Sequence, residues 1–266
     1  MPAASWTHDR HVDAAEAEIA AFAAALEGAR WETPVPTTPD WSLGDLARHV
    51  GVIHRWAEAL VRTGAQERRS PRGLGVAVPE APEELPSWLV EGGELLVKTL
   101  REHDPAEPVW GWGPDHHVRF WSRRMVHETL VHRCDAELAL GRDPVIDAAV
   151  AEDGVAELLT NLPSAAAFAP KVGELRGEGT ALAFVAPDAG ARWVVRLRPD
   201  GFDWTSEDAG AAGTGGGAGT ETGAAVSGDA ADLYLFLWGR RKLGDPRLEF
   251  SGDEVLLVHW VEHSGF

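Results

Sequence analysis

The sequence predicts two domains: an all-α four-helix bundle over residues 1–145, followed by a small α+β domain over 146–266. Three observations carry this expectation. Apolar residues recur at helical spacing through the first half. After "GRDPVID" the pattern switches to β-branched and aromatic runs separated by turn residues. An apolar fraction of 44%, with 12 Trp and 8 Phe, is enough to fill a core in each half.

The elements follow in order. Val12, Ala15, Ile19, Phe22 and Leu26 step alternately by three and four, the signature of an amphipathic helix. "PVPTTPDW" interrupts it, and Ser42 with Asp45 in "SLGD" forms a capping box that opens a second helix over about 43–62. That helix turns Leu46, Val50, Ile53, Ala57 and Leu60 inward. After a loop rich in Pro and Gly, a third helix over about 86–103 carries Leu89, Leu96 and Leu100. A fourth is expected over about 117–140, stopped by Gly141. Four helices within that span make a bundle. In the second domain, "TALAFVAP" and "ARWVVRLR" joined by "DAG" read as a hairpin. "DAADLYLFLWGRRK" reads as a helix, "RLEFSG" as a strand and "DEVLLVHWVEH" as a closing helix. The segment 207–224 is Gly-rich and low in complexity, which predicts a flexible loop; it contains no GK[ST] and is not a phosphate loop.

Composition narrows the function. A formal net charge of -18 and a pI of about 4.9 repel phosphate backbones and anionic membranes, so no nucleic-acid or membrane partner is expected. No apolar run approaches a membrane span, and the first residues do not form a signal peptide. The single cysteine, Cys134, excludes an internal disulfide and suits a reducing, cytoplasmic setting.

The chemistry centres on "MVHETLVHRCDAE". The zinc-protease pattern H-E-x-x-H needs its two His four apart, whereas His127 and His132 are five apart and diverge by roughly 140° on a helix. Glu128 and His132, four apart, share a face. They offer a carboxylate and an imidazole aimed at one point, and a third ligand must come from elsewhere. His49 stands between Leu46 and Ile53 on the core-facing side of the second helix. Taken alone it reads equally as a hydrogen-bonded core histidine. Trp121, Arg124, Glu128, His132 and Asp135 form one polar stripe, which is either a solvated face with ordinary ion pairs or a buried network that needs partners.

"PDWSLGDLARHVGVIHRWA" and "FWSRRMVHETLVHRCDAELALG", with "SGDAADLYLFLWGRRK" and "FSGDEVLLV" further on, resemble the mycothiol-dependent maleylpyruvate isomerase family. The resemblance implies a DinB-like bundle and a sterol-carrier-like C-terminal domain. It implies a divalent metal, usually zinc, held by His49, Glu128 and His132. Two imidazoles and a carboxylate leave a fourth position open, as in catalytic rather than structural zinc sites. Mycothiol would be the thiol cosubstrate, ionised by the metal for attack on a small electrophilic, acidic substrate, in an isomerase or a thiol transferase. A C-terminal arginine is implied for the substrate carboxylate, and Arg240 is the candidate, with Arg241 read as solvated surface.

Other residues are read more plainly. Arg124 and Asp135 either support Glu128 and His132 or pair with each other. Cys134 points away from the Glu128/His132 direction and is read as a buried, inert thiol. His54 and His127 are structural or surface residues, and His116-His117 a helix-start feature. Two functions of other classes stay open: a metal-dependent hydrolase using bound hydroxide, and a non-enzymatic binding module. Metal content separates the second from both enzymes, and dependence on added thiol separates transferase from hydrolase.

Overall fold

The computed structural model describes residues 6–208 and 222–265, which divide into two compact units, Trp6–Pro144 and the remainder from Val145 onward. The first is helical: α1 (His8–Ala25), α2 (Leu43–Arg62), α3 (Leu85–Glu102) and α4 (Val118–Ala139). Each spans what its apolar spacing dictates. Thr7 caps α1 by accepting from Arg10 N, and Ser42 and Asp45 make the reciprocal capping box that fixes the start of α2. α1 packs on α3 and α4, and α2 packs on α3 and α4. Close approach of α2 to α3 requires Gly51, where a Cβ would lie 2.1 Å from the Trp88 ring.

The core of this unit is Leu43, Leu46, Val50, Phe22, Leu26 and Leu89 at one end, and Leu60, Leu96, Leu100, Val118 and Trp121 at the other. α4 is buried on most of its faces, including Arg124, His127, Thr129, His132, Arg133 and Asp135. A buried helix carrying that many polar groups must satisfy them inside. Arg133 does so with Glu18 of α1 (2.7 Å) and Glu137 (2.9 Å). The polar stripe of α4 is therefore an internal network, not a solvated face.

The second unit holds α5 (Ala148–Ala165), β1 (Ala181–Ala186), β2 (Ala191–Arg198), β3 (Gly201–Asp208), β4 (Ala224–Ser227), α6 (Ala230–Leu237), β5 (Glu249–Gly252) and α7 (Glu254–His263). The sheet order is β3-β2-β1-β4-β5. β1 pairs in parallel with β4 and the remaining pairs are antiparallel. The expected hairpin is β1–β2, with Ala186 opposite Ala191 and the turn closed at Gly190, φ +64°. The expected α6, β5 and α7 are present. α5, β3 and β4 are additions to the sequence expectation. α5 carries Gly154 and Pro163 within its span, both of which read as breakers in isolation. β3 is an edge strand whose polar Asp203, Ser206 and Glu207 blur the alternation of a half-buried strand. The Gly-rich loop expected at 207–224 lies outside the described residues over 209–221. Its ends are corrected, since Glu207 and Asp208 belong to β3 and Ala224 to β4. Among the described residues, no helix is long and apolar enough to cross a membrane.

Candidate metal centre

The capping box sets the register of α2, so that Leu46 and Val50 go into the core and His49 falls at the seam facing α4. From α4, Glu128 and His132 project to the same point, as their four-residue separation requires. His49 Nε2 lies 3.3 Å from Glu128 Oε1, and His132 Nε2 lies 3.4 Å from the same oxygen. All three candidate ligand atoms fall within 4.8 Å of one another. The two imidazoles stand nearly perpendicular, 80° between planes. One side of the cluster is open to solvent: the side chains of His49 and Glu128 are 32% and 20% exposed.

Hydrogen bonding fixes which atoms carry lone pairs. Asp135, fully buried, accepts from Thr37 Oγ1 at 2.5 Å and from His132 Nδ1 at 2.9 Å. A carboxylate only accepts, so His132 carries its proton on Nδ1 and turns Nε2 toward Glu128. Glu128 Oε1 has no proton to give either. Oxygen and two ring nitrogens thus converge at a point that protons on the Nε2 atoms or one divalent cation would satisfy. The 3.3 and 3.4 Å separations match the edge of a tetrahedron with metal–ligand bonds of about 2.0–2.1 Å, an edge of roughly 3.3 Å. Two imidazoles and a carboxylate form a donor set that suits a divalent cation. Burial alone would raise the Glu128 pKa. Hydrogen bonds from His132 and His49, with the charges of His132 and Arg124, outweigh it and hold the carboxyl well below its ordinary value. Burial pushes His132 down, but its bonds to Asp135 and Glu128 prevail and raise it.

Arg124 and Asp135 both reach the cluster. Arg124 Nη2 is 3.5 Å from Glu128 Oε2, while Asp135 holds His132 as described. His54 is buried beside them, its Nε2 2.9 Å from Thr129 Oγ1. That hydroxyl gives its proton to Met125 O, so His54 donates, and burial lowers its pKa to about 4. It is a neutral structural residue. His127 is buried on α4 and is not one of the three converging side chains. His117 occupies the N-cap position of α4 and bonds Asp115 at 2.6 Å, and His116 Nδ1 accepts from Gly111 N. Cys134 is fully buried, and burial pushes its thiol far above the usual range, which removes it as a nucleophile.

Arg240 belongs to the second unit, just beyond α6, where its Nη1 donates to Trp238 O at 2.6 Å. Arg241 corrects an expectation: it is buried, not on the solvated surface, and pairs with Asp232 at 2.6 Å and Asp245 at 3.6 Å. Two residues at the cluster went unread in the sequence, Thr37 and Trp41. The indole of Trp41 lies 4.8 Å from the His49 ring and 6.4 Å from the His132 ring. Its place directly before the N-cap Ser42 was the available signal, since a residue there must pack back on the first turn.

Comparison with known proteins finds similarity along both halves. Residues 12–137 match the mycothiol maleylpyruvate isomerase N-terminal domain, and residues 149–259 match the C-terminal domain of the same family. Among solved structures, a mycothiol-dependent maleylpyruvate isomerase is similar with a TM-score of 0.59 and 14% identity, over 93% of this chain and 95% of that one. A His-to-Ala mutant of that isomerase gives the same TM-score, identity and coverage. A search of curated proteins by sequence found no match.

Proposed function

Since the chain belongs to the mycothiol maleylpyruvate isomerase family, we propose that it is an enzyme that uses mycothiol against a small electrophilic, acidic substrate. The reaction class is isomerisation through reversible thiol addition, or transfer of the thiol. The observation that carries the proposal is the convergence of His49 Nε2, His132 Nε2 and Glu128 Oε1 within 4.8 Å, with one side open to solvent. In this reading the three residues hold a divalent cation, zinc by the chemistry of two imidazoles and a carboxylate. When bound, the cation supplies positive charge that makes a coordinated thiol a thiolate at neutral pH. The chain's own residues do the rest. Asp135 and Thr37 fix the His132 tautomer, and Arg124 balances the charge of Glu128. The buried Cys134 leaves the nucleophile to an external thiol. Arg240 is assigned to the substrate carboxylate, for which a guanidinium fork is the matching partner.

The helical half is read as a DinB-like four-helix bundle and the second half as a sterol-carrier-like domain, joined at residue 145, in a protein that works in the reducing cytoplasm. A fragment ending at residue 144 is expected to keep a helical circular-dichroism spectrum and to bind one divalent cation. An unfolded fragment would mean that the two halves share one core.

Hydrolysis by bound hydroxide is disfavoured by Asp135. It is fully buried on the Nδ1 side of His132, where it accepts from His132 and Thr37, and is not placed to serve as general base at the cluster. The deciding experiment is a turnover assay on a maleyl-type carboxylate with mycothiol added or omitted. Turnover that needs no thiol would sink the proposal in favour of a hydrolase.

A further inference from the structure

The triad is braced from outside by the loop between α1 and α2. Among the described residues, the hydrogen-bond, ion-pair and ring-contact partners of His49 are Glu128, His132 and Trp41. Of these partners, Trp41 is the one outside the triad. Its indole sits tilted by 53° on His49 and more nearly parallel, at 28°, to His132. On the protein side it packs against the core cluster that includes Phe22, Leu46 and Val50. The indole is thus a wedge between core and triad.

The loop is built to hold that wedge. Val35 N donates to Trp41 O at 2.9 Å, Trp41 N donates to Thr38 O at 3.1 Å, and Pro34 bridges to Ser42. Asp40, directly before Trp41, has φ +71°, a left-handed conformation uncommon outside glycine but tolerated by Asp. Such conformations persist only where surrounding structure holds them. The same loop delivers Thr37 to Asp135, which grips His132 through Nδ1. One loop thus places Trp41 beside the His132 ring and, through Thr37, holds the Asp135 that bonds its outer nitrogen.

We infer that Trp41 is a positioning residue: it locks the imidazoles of His49 and His132 in the orientation that aims both Nε2 atoms at Glu128. The effect on cation affinity rests on the metal-centre reading above, whereas the effect on ring orientation does not. Without the indole, the partly exposed His49 ring is expected to rotate about its χ angles and must be ordered when a cation binds. Loss of a partner that orients ligands costs about 10- to 100-fold in metal affinity.

The test compares Trp41→Ala and Trp41→Phe with the wild type in two measurements. The first is zinc affinity, by competition with a chromophoric chelator. The second is the set of nuclear Overhauser contacts between the His49 and His132 ring protons in the metal-free protein. Trp41→Ala, compared below its melting transition, is expected to bind zinc at least about tenfold more weakly and to lose the inter-ring contacts. Trp41→Phe, which keeps a flat ring in the wedge, should restore both. Wild-type affinity and intact inter-ring contacts in Trp41→Ala would overturn the inference. If the wild type takes up no zinc, the metal reading fails by itself, and the inter-ring contacts still decide the role of Trp41. Should Trp41→Ala melt early, the decision passes to Trp41→Phe against Trp41→Leu at matched stability: equal behaviour of the two would remove the orienting role.

Discussion

Glu128→Ala is expected to abolish stoichiometric cation binding and, with it, thiol-dependent turnover, a loss of about 4 kcal/mol or roughly a thousandfold in rate. The magnitude follows from where the carboxylate sits. Its Oε1 is the atom that both imidazole nitrogens approach, at 3.3 and 3.4 Å. Its other oxygen faces the buried guanidinium of Arg124 at 3.5 Å. Removing the carboxylate leaves two imidazoles without their anionic partner and with the Arg124 guanidinium nearby, a setting that holds a divalent cation poorly. Glu128→Gln sharpens the point, because it keeps the shape and an acceptor oxygen while removing the charge; it should also fail to turn over substrate. Turnover and metal content measured on the same preparations check the result. Wild-type turnover in Glu128→Ala would exclude the cluster from the chemistry.

The second large effect separates external from internal thiol. Omitting mycothiol is expected to reduce turnover to background in the wild type, whereas Cys134→Ser should leave thiol-dependent turnover within about twofold, the scale of a conservative change away from the reacting atoms. Cys134 is fully buried, and burial raises its pKa far from the range in which a thiolate forms. No element of α4 turns it toward the triad, since Glu128 and His132 define a different face of the helix. The check is a rate comparison of both proteins with and without thiol. Thiol-independent turnover that vanishes in Cys134→Ser would restore the cysteine as nucleophile.

What the sequence revealed and what it hid divide along physical lines. Helices α1 to α3 were legible from apolar residues at helical spacing and local boundary signals such as the Ser42/Asp45 capping box, and α4 from its length up to Gly141. The convergence of Glu128 and His132 was legible because it is a property of one helix, set by a spacing of four. The position of His49 opposite them depends on how α2 meets α4, which no local spacing encodes; the family resemblance supplied it. Trp41 and Thr37 were missed because they act from a loop, where no periodicity tells a side chain's direction. The burial of Arg241 was missed for a related reason. Its partners, Asp232 and Asp245, lie nine residues before it and four after it, across the end of α6 and the turn beyond. Edge strand β3 shows the opposite failure, a regular element whose polar residues hide it.

In the proposed site, His49, Glu128 and His132 hold one divalent cation. Elemental analysis of protein purified without chelator, wild type beside His49→Ala, His132→Ala and the exposed control His116→Ala, tests it most directly. About one zinc-type ion per chain is expected in the wild type and in His116→Ala, and none in the two ligand variants. A wild type that stays metal-free after exposure to divalent cations, or ligand variants that keep full occupancy, would contradict it.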